Sequence, residues 1–273
     1  MKNKYDYIII ALGNPGTKYQ FTRHNIAWLA IDVFIQNHKL DFSPGNSDFY
    51  FAEKKYAGKE ILIVKPTTYM NNSGLVVKHL KNKLNANNND FIVLVDEYNF
   101  PLSKVHLKKG GSDGGHNGLS SIIYELESAD FWRLRLGIDK NFGPGQLVNY
   151  VLSNFNKDEK ESLDIALNKA VKSIEHIIKS GTQRAMSEIN SGKLFGETKS
   201  NKTKPENKLK TDELKTELET KQKSEDKAED KAKTKKEINY SVPQTDENET
   251  KSSPNPNTKD NLLRNLINKF SKN

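Results

Sequence analysis

His24 and Asp96 are the two residues whose types and positions best suit acid–base chemistry. His24 stands in TRHN (22–25), where a predicted helix begins, and the positive end of a helix disfavours the imidazolium. It is therefore expected to be neutral near pH 7, as a general base must be. Asp96 follows the apolar run 91–95, and a carboxylate at the end of a buried strand commonly orients a histidine. The alternatives are an ordinary surface histidine and an aspartate that caps the next loop.

Three asparagines stand at predicted turns and could polarise a carbonyl group. Asn14 lies in GNPG (13–16), where a strand runs into a type II turn, and ligands of α/β sheets bind beyond the carboxyl ends of strands. Asn71 lies in KPTTYMNNSG (65–74) after another strand, and Asn117 ends the motif GGHN. Amide donors of this kind stabilise oxyanions. The alternative for each asparagine is a turn or a helix cap.

The segment LKKGGSDGGHNGLSSI (107–122) is a glycine-rich loop that leads into a predicted helix. Such loops bind anions, including phosphates, through backbone N–H groups, and His116 and Asn117 stand where these groups converge. The loop lacks the Gly-Lys-Ser/Thr ending of a P-loop, and no GxGxxG motif follows the first strand. Hydrolysis of nucleoside triphosphates and dinucleotide binding are therefore not expected.

As a set, these residues indicate hydrolysis by an activated water molecule. The chain has no cysteine and no GxSxG motif, which excludes a cysteine nucleophile and argues against a serine one. A His–Asp pair without a nucleophile favours attack by water on an ester or a similar acyl bond, with asparagines at the oxyanion. The histidines and carboxylates show no metal-ligand spacing, so no metal and no other cofactor is expected.

Strands that alternate with helices must position these residues. Apolar runs predict strands at residues 7–12, 49–56, 60–66, 91–97, 104–109 and 133–139. Helical spacing predicts helices at 22–38, capped by Thr22, at 72–84, at 116–127, and at 157–180, entered after Asn156. The pattern indicates one α/β domain over residues 1–190, with a mixed, mostly parallel twisted sheet flanked by helices.

Residues 191–260 differ in composition from the first 190. Only ten of these 70 residues are Ala, Val, Ile, Leu, Met, Phe, Trp or Tyr. This is too few to offset an ordering entropy of about 1–2 kcal/mol per residue, so we expect a disordered Lys/Glu-rich tail. In residues 261–273, large apolar residues recur at helical spacing, which predicts a short amphipathic helix that docks on a partner or a membrane surface. The alternative is a frayed terminus.

The net charge of the 273-residue chain is +8, which suggests an anionic partner, nucleic acid first. Residues 1–190 carry 24 Lys/Arg and 20 Asp/Glu, and residues 191–273 carry 19 and 15, so each part contributes +4. The alternative is a solvated lysine-rich surface. No apolar run approaches the ~18 residues that cross a bilayer, and no secretory signal opens the sequence, so the expected compartment is the cytoplasm.

Several motifs together resemble the bacterial peptidyl-tRNA hydrolase family. ALGNPGTKYQFTRHNIAW, KPTTYMNNSG, VDEYNFPLSKVHLKKGGSDGGHNGLSSI, RLRLGI and VNYVLSNF occur in the order and spacing of that family. The resemblance covers about residues 5–190. It implies a compact α/β monomer that cleaves, without a metal, the ester bond between a peptide and the 3′-terminal ribose of tRNA.

The resemblance also implies catalytic roles. His24 corresponds to the catalytic histidine and Asp96 to the aspartate that orients it. Asn14, Asn71 and Asn117 correspond to asparagines that hold the ester region, the peptide backbone and the water molecule.

Further positions correspond to residues that contact the substrate in the family. The resemblance implies Tyr19 and Met70 at the substrate cleft, with Asn71 and Asn117, and it implies Lys108 and Arg135 at the tRNA phosphates. His116, in the glycine-rich loop, is also expected to bind the substrate.

The sequence departs from the family pattern at a few positions. Ala11 and Ala27 replace common glycines, and Asp139-Lys140-Asn141 follows RLRLGI, where contacts to the acceptor arm of tRNA could differ. A catalytically inactive RNA-binding module on the same fold is the alternative function, and a hydrolase of other acyl esters is a third. The tail lies outside the pattern: it either adds solubility or recruits the chain to ribosomes, RNA or a membrane.

Overall fold

A seven-stranded sheet with the strand order β2-β3-β4-β1-β5-β7-β6 forms the centre of the fold. The structure is a computed structural model, which describes residues 3–45 and 48–197. The strands are β1 (Tyr7–Ala11), β2 (Ser43–Pro44), β3 (Phe49–Tyr56), β4 (Lys59–Pro66), β5 (Phe91–Glu97), β6 (Val105–Lys109) and β7 (Trp132–Gly137). The helices are α1 (Ile26–Asn37), α2 (Ser73–Leu84), α3 (Asn117–Leu126), α4 (Leu147–Val151), α5 (Lys160–Ser180) and α6 (Thr182–Asn190).

The centre of the sheet is parallel and its edges are antiparallel. Strand β1 pairs in parallel with β4 and β5, and β5 pairs in parallel with β7. Strands β2, β3 and β6 add antiparallel pairings at the two edges. The predicted mixed sheet is therefore confirmed, with the parallel strands in its middle.

Both faces of the central strands are buried, which explains their continuous apolar runs. Ile9 and Ala11 of β1 pack with helices α1, α5 and α6, whereas Ile8 and Ile10 pack with α2 and α3. The strands β4, β1 and β5 are neighbours and run in parallel, so their carboxyl ends lie side by side at one end of the sheet. The chain leaves these strands towards Asn14, Asn71 and Asp96, so the topology gathers the candidate residues there.

The predicted elements differ from the observed ones mainly at their ends. The structure adds α4, α6 and the short strand β2, which the sequence pattern did not indicate. Thr22 does not cap the first helix: its hydroxyl donates to the carbonyl of Tyr19 at 2.9 Å, and α1 begins at Ile26 after a 3₁₀ turn, Arg23–Asn25. The entry to α5 after Asn156 is confirmed, because Asn156 and Glu159 form a capping box.

The described chain continues past residue 190 into a last 3₁₀ turn, Lys193–Phe195, whose Leu194 and Phe195 pack against the α5–α6 side of the core. The tail was predicted to be disordered from residue 191, which is wrong for residues 191–197, because Leu194 and Phe195 supply apolar side chains that pack on the core. The rest of the predicted tail and the predicted amphipathic helix at 261–273 lie outside the described ranges. Within those ranges, no helix combines the length and the apolar character needed to span a bilayer.

Candidate active site

Asp96, at the end of β5, accepts hydrogen bonds from two histidines. Its Oδ1 lies 2.9 Å from Nδ1 of His24 and 2.9 Å from Nε2 of His116. The carboxylate is 3% exposed and each imidazole 10% exposed. The structure thus joins the turn before α1, the end of β5 and the start of α3 in one buried cluster, which we call the His–Asp–His triad.

The ionisation of Asp96 and His24 is set by this cluster. Burial alone would raise the pKa of Asp96, but the electrostatic attraction and the hydrogen bonds of the two imidazoles outweigh it and hold that pKa well below its usual range. At His24, burial alone would lower the pKa, but the carboxylate of Asp96 outweighs it and raises the pKa above 6.5. This direction is opposite to the one expected from the helix end, because the carboxylate is only 2.9 Å away.

Because Asp96 is ionised and can only accept, Nδ1 of His24 carries the ring proton and Nε2 has the free lone pair. Within the described part of the chain, no group hydrogen-bonds to Nε2 of His24. A histidine with a free basic nitrogen and a raised pKa has the properties of a general base.

His116 has no free nitrogen. Its Nδ1 accepts hydrogen bonds from the backbone N–H groups of Gly118 (3.1 Å) and Leu119 (3.2 Å) and thereby caps α3. Nε2 must therefore carry the ring proton, which it donates to Asp96. His116 was expected at the substrate, but these bonds assign its two nitrogens to the helix start and the carboxylate instead.

The triad also offers three ligand atoms within 4.8 Å of one another, a spacing that a metal ion could bridge. The cap at α3 works against this use, because a protonated Nε2 of His116 has no lone pair for a metal. His24 and Asp96 alone provide two ligands, fewer than the three protein ligands of a catalytic zinc site. The donor set fits a hydrogen-bonded cluster better than a metal centre.

Asn14 is held in a fixed orientation beside the triad. Asn25, which is fully buried, accepts from the backbone N–H of Asn14 (2.8 Å) and donates to its carbonyl (2.9 Å). The backbone N–H of Met70 donates to Oδ1 of Asn14 at 2.9 Å. The side-chain NH2 group of Asn14 takes part in none of these bonds and is therefore available as a donor.

Two further asparagines lie on neighbouring turns. Asn71 sits in the 3₁₀ turn Met70–Asn72 and Asn117 begins α3, and both are exposed. Glycine allows these turns to meet: a Cβ at Gly118 would lie 2.6 Å from Sδ of Met70. The predicted cleft residue Met70 is thus buried between the turns.

Tyr19, the other predicted cleft residue, lies half-buried in the 3₁₀ turn Thr17–Tyr19 that follows Asn14. Nζ of Lys18 lies 4.8 Å from the centre of its ring. The tyrosine therefore belongs to the loop that leads from β1 to His24.

The predicted phosphate ligands lie on the β6–β7 edge. Lys108 pairs with Arg133 across these strands, and His106 pairs with Arg135. Lys108 is exposed, whereas Arg135 donates to the carboxylate of Glu97, the residue after Asp96. The edge is therefore basic, with Lys108 the more accessible of the two predicted cations.

Arg133 supports the glycine-rich loop from the same strand. This buried guanidinium donates to the carbonyls of Gly111 and Ser112, each at 2.6 Å. Sequence reasoning did not single out Arg133, Arg23 or Asn25, although all three are buried polar residues that require partners. Arg23 and Asn25 stand in a polar run before a helix, which is usually solvated, and Arg133 is a cation in strand β7, so none of the three gave a signal of burial.

Known proteins share this arrangement of elements and motifs. The family model described as peptidyl-tRNA hydrolase matches residues 8–201. The peptidyl-tRNA hydrolase of Thermodesulfovibrio yellowstonii is 42% identical over 186 residues, which are 67% of this chain and 98% of the relative. That of Bacillus subtilis is 34% identical over 183 residues, 67% of this chain and 97% of the relative.

A solved structure gives the same result for the fold. The crystal structure of peptidyl-tRNA hydrolase from Acinetobacter baumannii superposes with a TM-score of 0.65 at 26% identity and covers 70% of this chain and 97% of that one. The family match spans well over half of the 273 residues. The chain therefore belongs to the peptidyl-tRNA hydrolase family.

Proposed function

We propose that the chain hydrolyses the ester bond between a peptide and the 3′-terminal ribose of tRNA, using water activated by His24. One observation carries the mechanism: Nδ1 of His24 lies 2.9 Å from the buried carboxylate of Asp96, while its Nε2 is not engaged by the described residues. Membership of the family supports the substrate.

In the first step, Nε2 of His24 takes a proton from water as the water oxygen attacks the ester carbonyl carbon. The carboxylate of Asp96 stabilises the imidazolium through the Nδ1–H bond. The tetrahedral intermediate then collapses: the bond to the ribose 3′-oxygen breaks, and that oxygen takes the proton from His24. The products are a peptide with a free carboxyl group and tRNA, and His24 returns to its initial state.

Asparagine side chains stabilise the negative oxygen of the intermediate in this proposal. Asn71 is the main candidate, with Asn14 and Asn117 beside it. The orientation of Asn14 supports the assignment, because Met70 occupies its Oδ1 and leaves its NH2 group to donate. Loss of one such donor typically lowers the rate by ~10²–10³-fold.

The remaining predicted residues form the binding surface. We place the peptidyl end of the substrate near Tyr19 and Met70 and the tRNA phosphates near Lys108 and Arg135. No metal takes part, since the ring proton on Nε2 of His116 leaves too few ligand atoms at the triad. The chain acts as a monomer in the cytoplasm.

For residues 191–273, two roles stay open: added solubility, or recruitment to ribosomes, RNA or a membrane surface. A truncation after Glu197 retains the last described turn, which packs on the core. If the tail recruits the chain, this truncation abolishes co-sedimentation with ribosomes or vesicles. If it only adds solubility, sedimentation and activity stay unchanged.

The decisive assay compares hydrolysis of peptidyl-tRNA, aminoacyl-tRNA and a simple ester by the full chain. We expect turnover of peptidyl-tRNA, its near-complete loss in His24→Ala, and retained tRNA binding by that variant. Substantial hydrolysis by His24→Ala would overturn the mechanism. Binding of tRNA without hydrolysis by the wild type would support the RNA-binding module, and preference for another ester would redirect the substrate assignment.

A further inference from the structure

Arg23, the residue before His24, is held by groups far along the chain. Its Nη1 and Nη2 donate to the two oxygens of Glu159 at 2.8 and 2.7 Å. The guanidinium carbon lies 4.6 Å from the ring centre of Tyr150 and 4.8 Å from that of Phe155. The side chains of Arg23 and Glu159 are 4% and 18% exposed, so the pair is largely shielded from water.

The backbone around this ion pair is fixed as well. The N–H of Arg23 donates to the carbonyl of Ser153 at 3.0 Å, and Thr22 forms an isolated antiparallel bridge with Asn154. On the other side, the carboxylate of Glu159 also accepts the backbone N–H of Asn156 at 2.6 Å, at the entry to α5. Both partners are therefore anchored, and their geometry defines where the turn Arg23–Asn25 lies.

Each of the three residues in this turn contacts a different part of the molecule. Arg23 binds Glu159, His24 binds Asp96, and Asn25 binds the backbone of Asn14. A displacement of the turn would thus move the general base and the neighbouring amide donor together. A displacement of about 1 Å in such a site can lower a rate by ~10²-fold.

We propose that the Arg23–Glu159 ion pair is a positioning element of the active site, which holds the turn so that His24 meets both Asp96 and the attacking water. The inference rests on the proposed function. The bidentate, stacked arrangement is one that a guanidinium provides and an ammonium does not, because only the planar fork fixes direction as well as charge.

A purely structural role is the competing explanation, since breaking a shielded ion pair destabilises a fold. Glu175, on the helix α5 that Glu159 caps, provides a matched control. Its Oε1 lies 3.0 Å from Nε2 of His38, its side chain is 27% exposed, and it ties α5 to the end of α1. Glu175→Gln changes the same chemical group away from the turn.

The test uses the full chain at a temperature where every variant is folded, and measures kcat and KM on peptidyl-tRNA. We expect Arg23→Lys and Glu159→Gln to lower kcat by ~10–100-fold, with KM within about threefold of the wild type. Glu175→Gln should lower the thermal midpoint and leave kcat unchanged. A folded Glu159→Gln variant with wild-type kcat would overturn the proposal.

A second measurement does not depend on turnover. The Nδ1 proton of His24 should give a downfield signal in the proton NMR spectrum, assigned by its loss in His24→Ala. We expect Arg23→Lys and Glu159→Gln to broaden or remove it, and an unchanged signal would overturn the positioning role even if the wild type proves inactive on peptidyl-tRNA.

If Glu159→Gln does not fold, Glu159→Asp keeps the charge with a shorter reach, and wild-type kcat in that variant would again contradict the proposal.

Discussion

His24 and His116 hydrogen-bond to the same oxygen of Asp96, each at 2.9 Å. The two rings are not equivalent, because Nδ1 of His116 is occupied by the backbone of α3, while Nε2 of His24 is open. In the proposed mechanism, the carboxylate therefore orients His24, which accepts a proton from water, while His116 holds the carboxylate in place.

The first prediction concerns Asp96→Asn. An amide oxygen at the position of Oδ1 could still accept from both histidines, but a neutral amide lacks the negative charge that stabilises the imidazolium. We expect kcat to fall by ~10²–10⁴-fold, the usual range for lost general-base catalysis, with little change in tRNA affinity. Steady-state kinetics and a binding titration check this, and a loss below tenfold would contradict the role of Asp96.

The second prediction concerns pH. Nε2 of His24 must be unprotonated to take a proton from water, so kcat/KM should fall as the pH drops through the pKa of His24. Because Asp96 raises that pKa, the midpoint should lie above 6.5. A pH profile of the wild type measures it, and a midpoint well below 6.5 would be incompatible with the His24–Asp96 pair.

The third prediction separates the two contacts of His116. Asparagine is a good helix cap, so His116→Asn should keep α3 capped but lose the hydrogen bond to Asp96. His116→Ala loses both contacts, and the lost cap lowers the free energy of unfolding by about 0.5–2 kcal/mol. Without the donor from residue 116, the carboxylate interacts more strongly with His24. We therefore expect the acid limb of kcat/KM to move to higher pH in both variants.

Denaturant unfolding and pH profiles distinguish these outcomes. An unchanged pH profile in His116→Asn would show that His116 does not influence the base.

The fourth prediction compares two adjacent exposed asparagines. Asn71→Ala removes the main oxyanion donor of the proposed mechanism and should lower kcat by ~10²–10³-fold. Asn72→Ala, in the same 3₁₀ turn, provides the matched control and should leave kcat close to the wild type. Equal losses in the two variants would indicate a disturbed turn rather than a lost donor.

The fifth prediction concerns the basic edge. Lys108→Ala should weaken tRNA binding and reduce the slope of log K against log salt by about 1, because one phosphate contact is lost. Lys109 is the control: it points to the other face of β6, and its ammonium lies 3.1 Å from Asp130. Lys109→Ala should leave the slope unchanged. A wild-type slope in Lys108→Ala as well would show that Lys108 does not contact the tRNA phosphates.

Apolar runs predicted the strands well, because β1 and β5 are buried on both faces and their side chains cannot be polar. The pairing of His24 with Asp96 was also accessible, since a carboxylate at the end of a buried strand commonly orients a histidine and the family resemblance implies the same pair. The direction of the pKa shift of His24 was not accessible, because it depends on whether the carboxylate at 2.9 Å outweighs the burial of the ring, and both are set by the packed structure.

The helix α4 and the Arg23–Glu159 pair were missed for a related reason. Helix α4 has only five residues and too few turns to show a period, and Val148 is 65% exposed on it. Arg23 looks like a solvent-exposed cation in TRHN, and only the packing of Tyr150 and Phe155 around it makes it a buried one. Such residues become visible when the tertiary structure is known.

The ion pair between Arg23 and Glu159 also bears on the order in which the enzyme assembles. Its partners are 136 positions apart, so this contact to the turn with His24 forms only after the entry of α5 has been synthesised and docked. Contacts of such long range form late, because the entropy of closing the intervening loop must be overcome first. A nascent chain that ends before Glu159 would already contain His24, Asp96 and His116, yet lack the contact that locks the turn. Catalytic competence is thereby linked to near-completion of the domain.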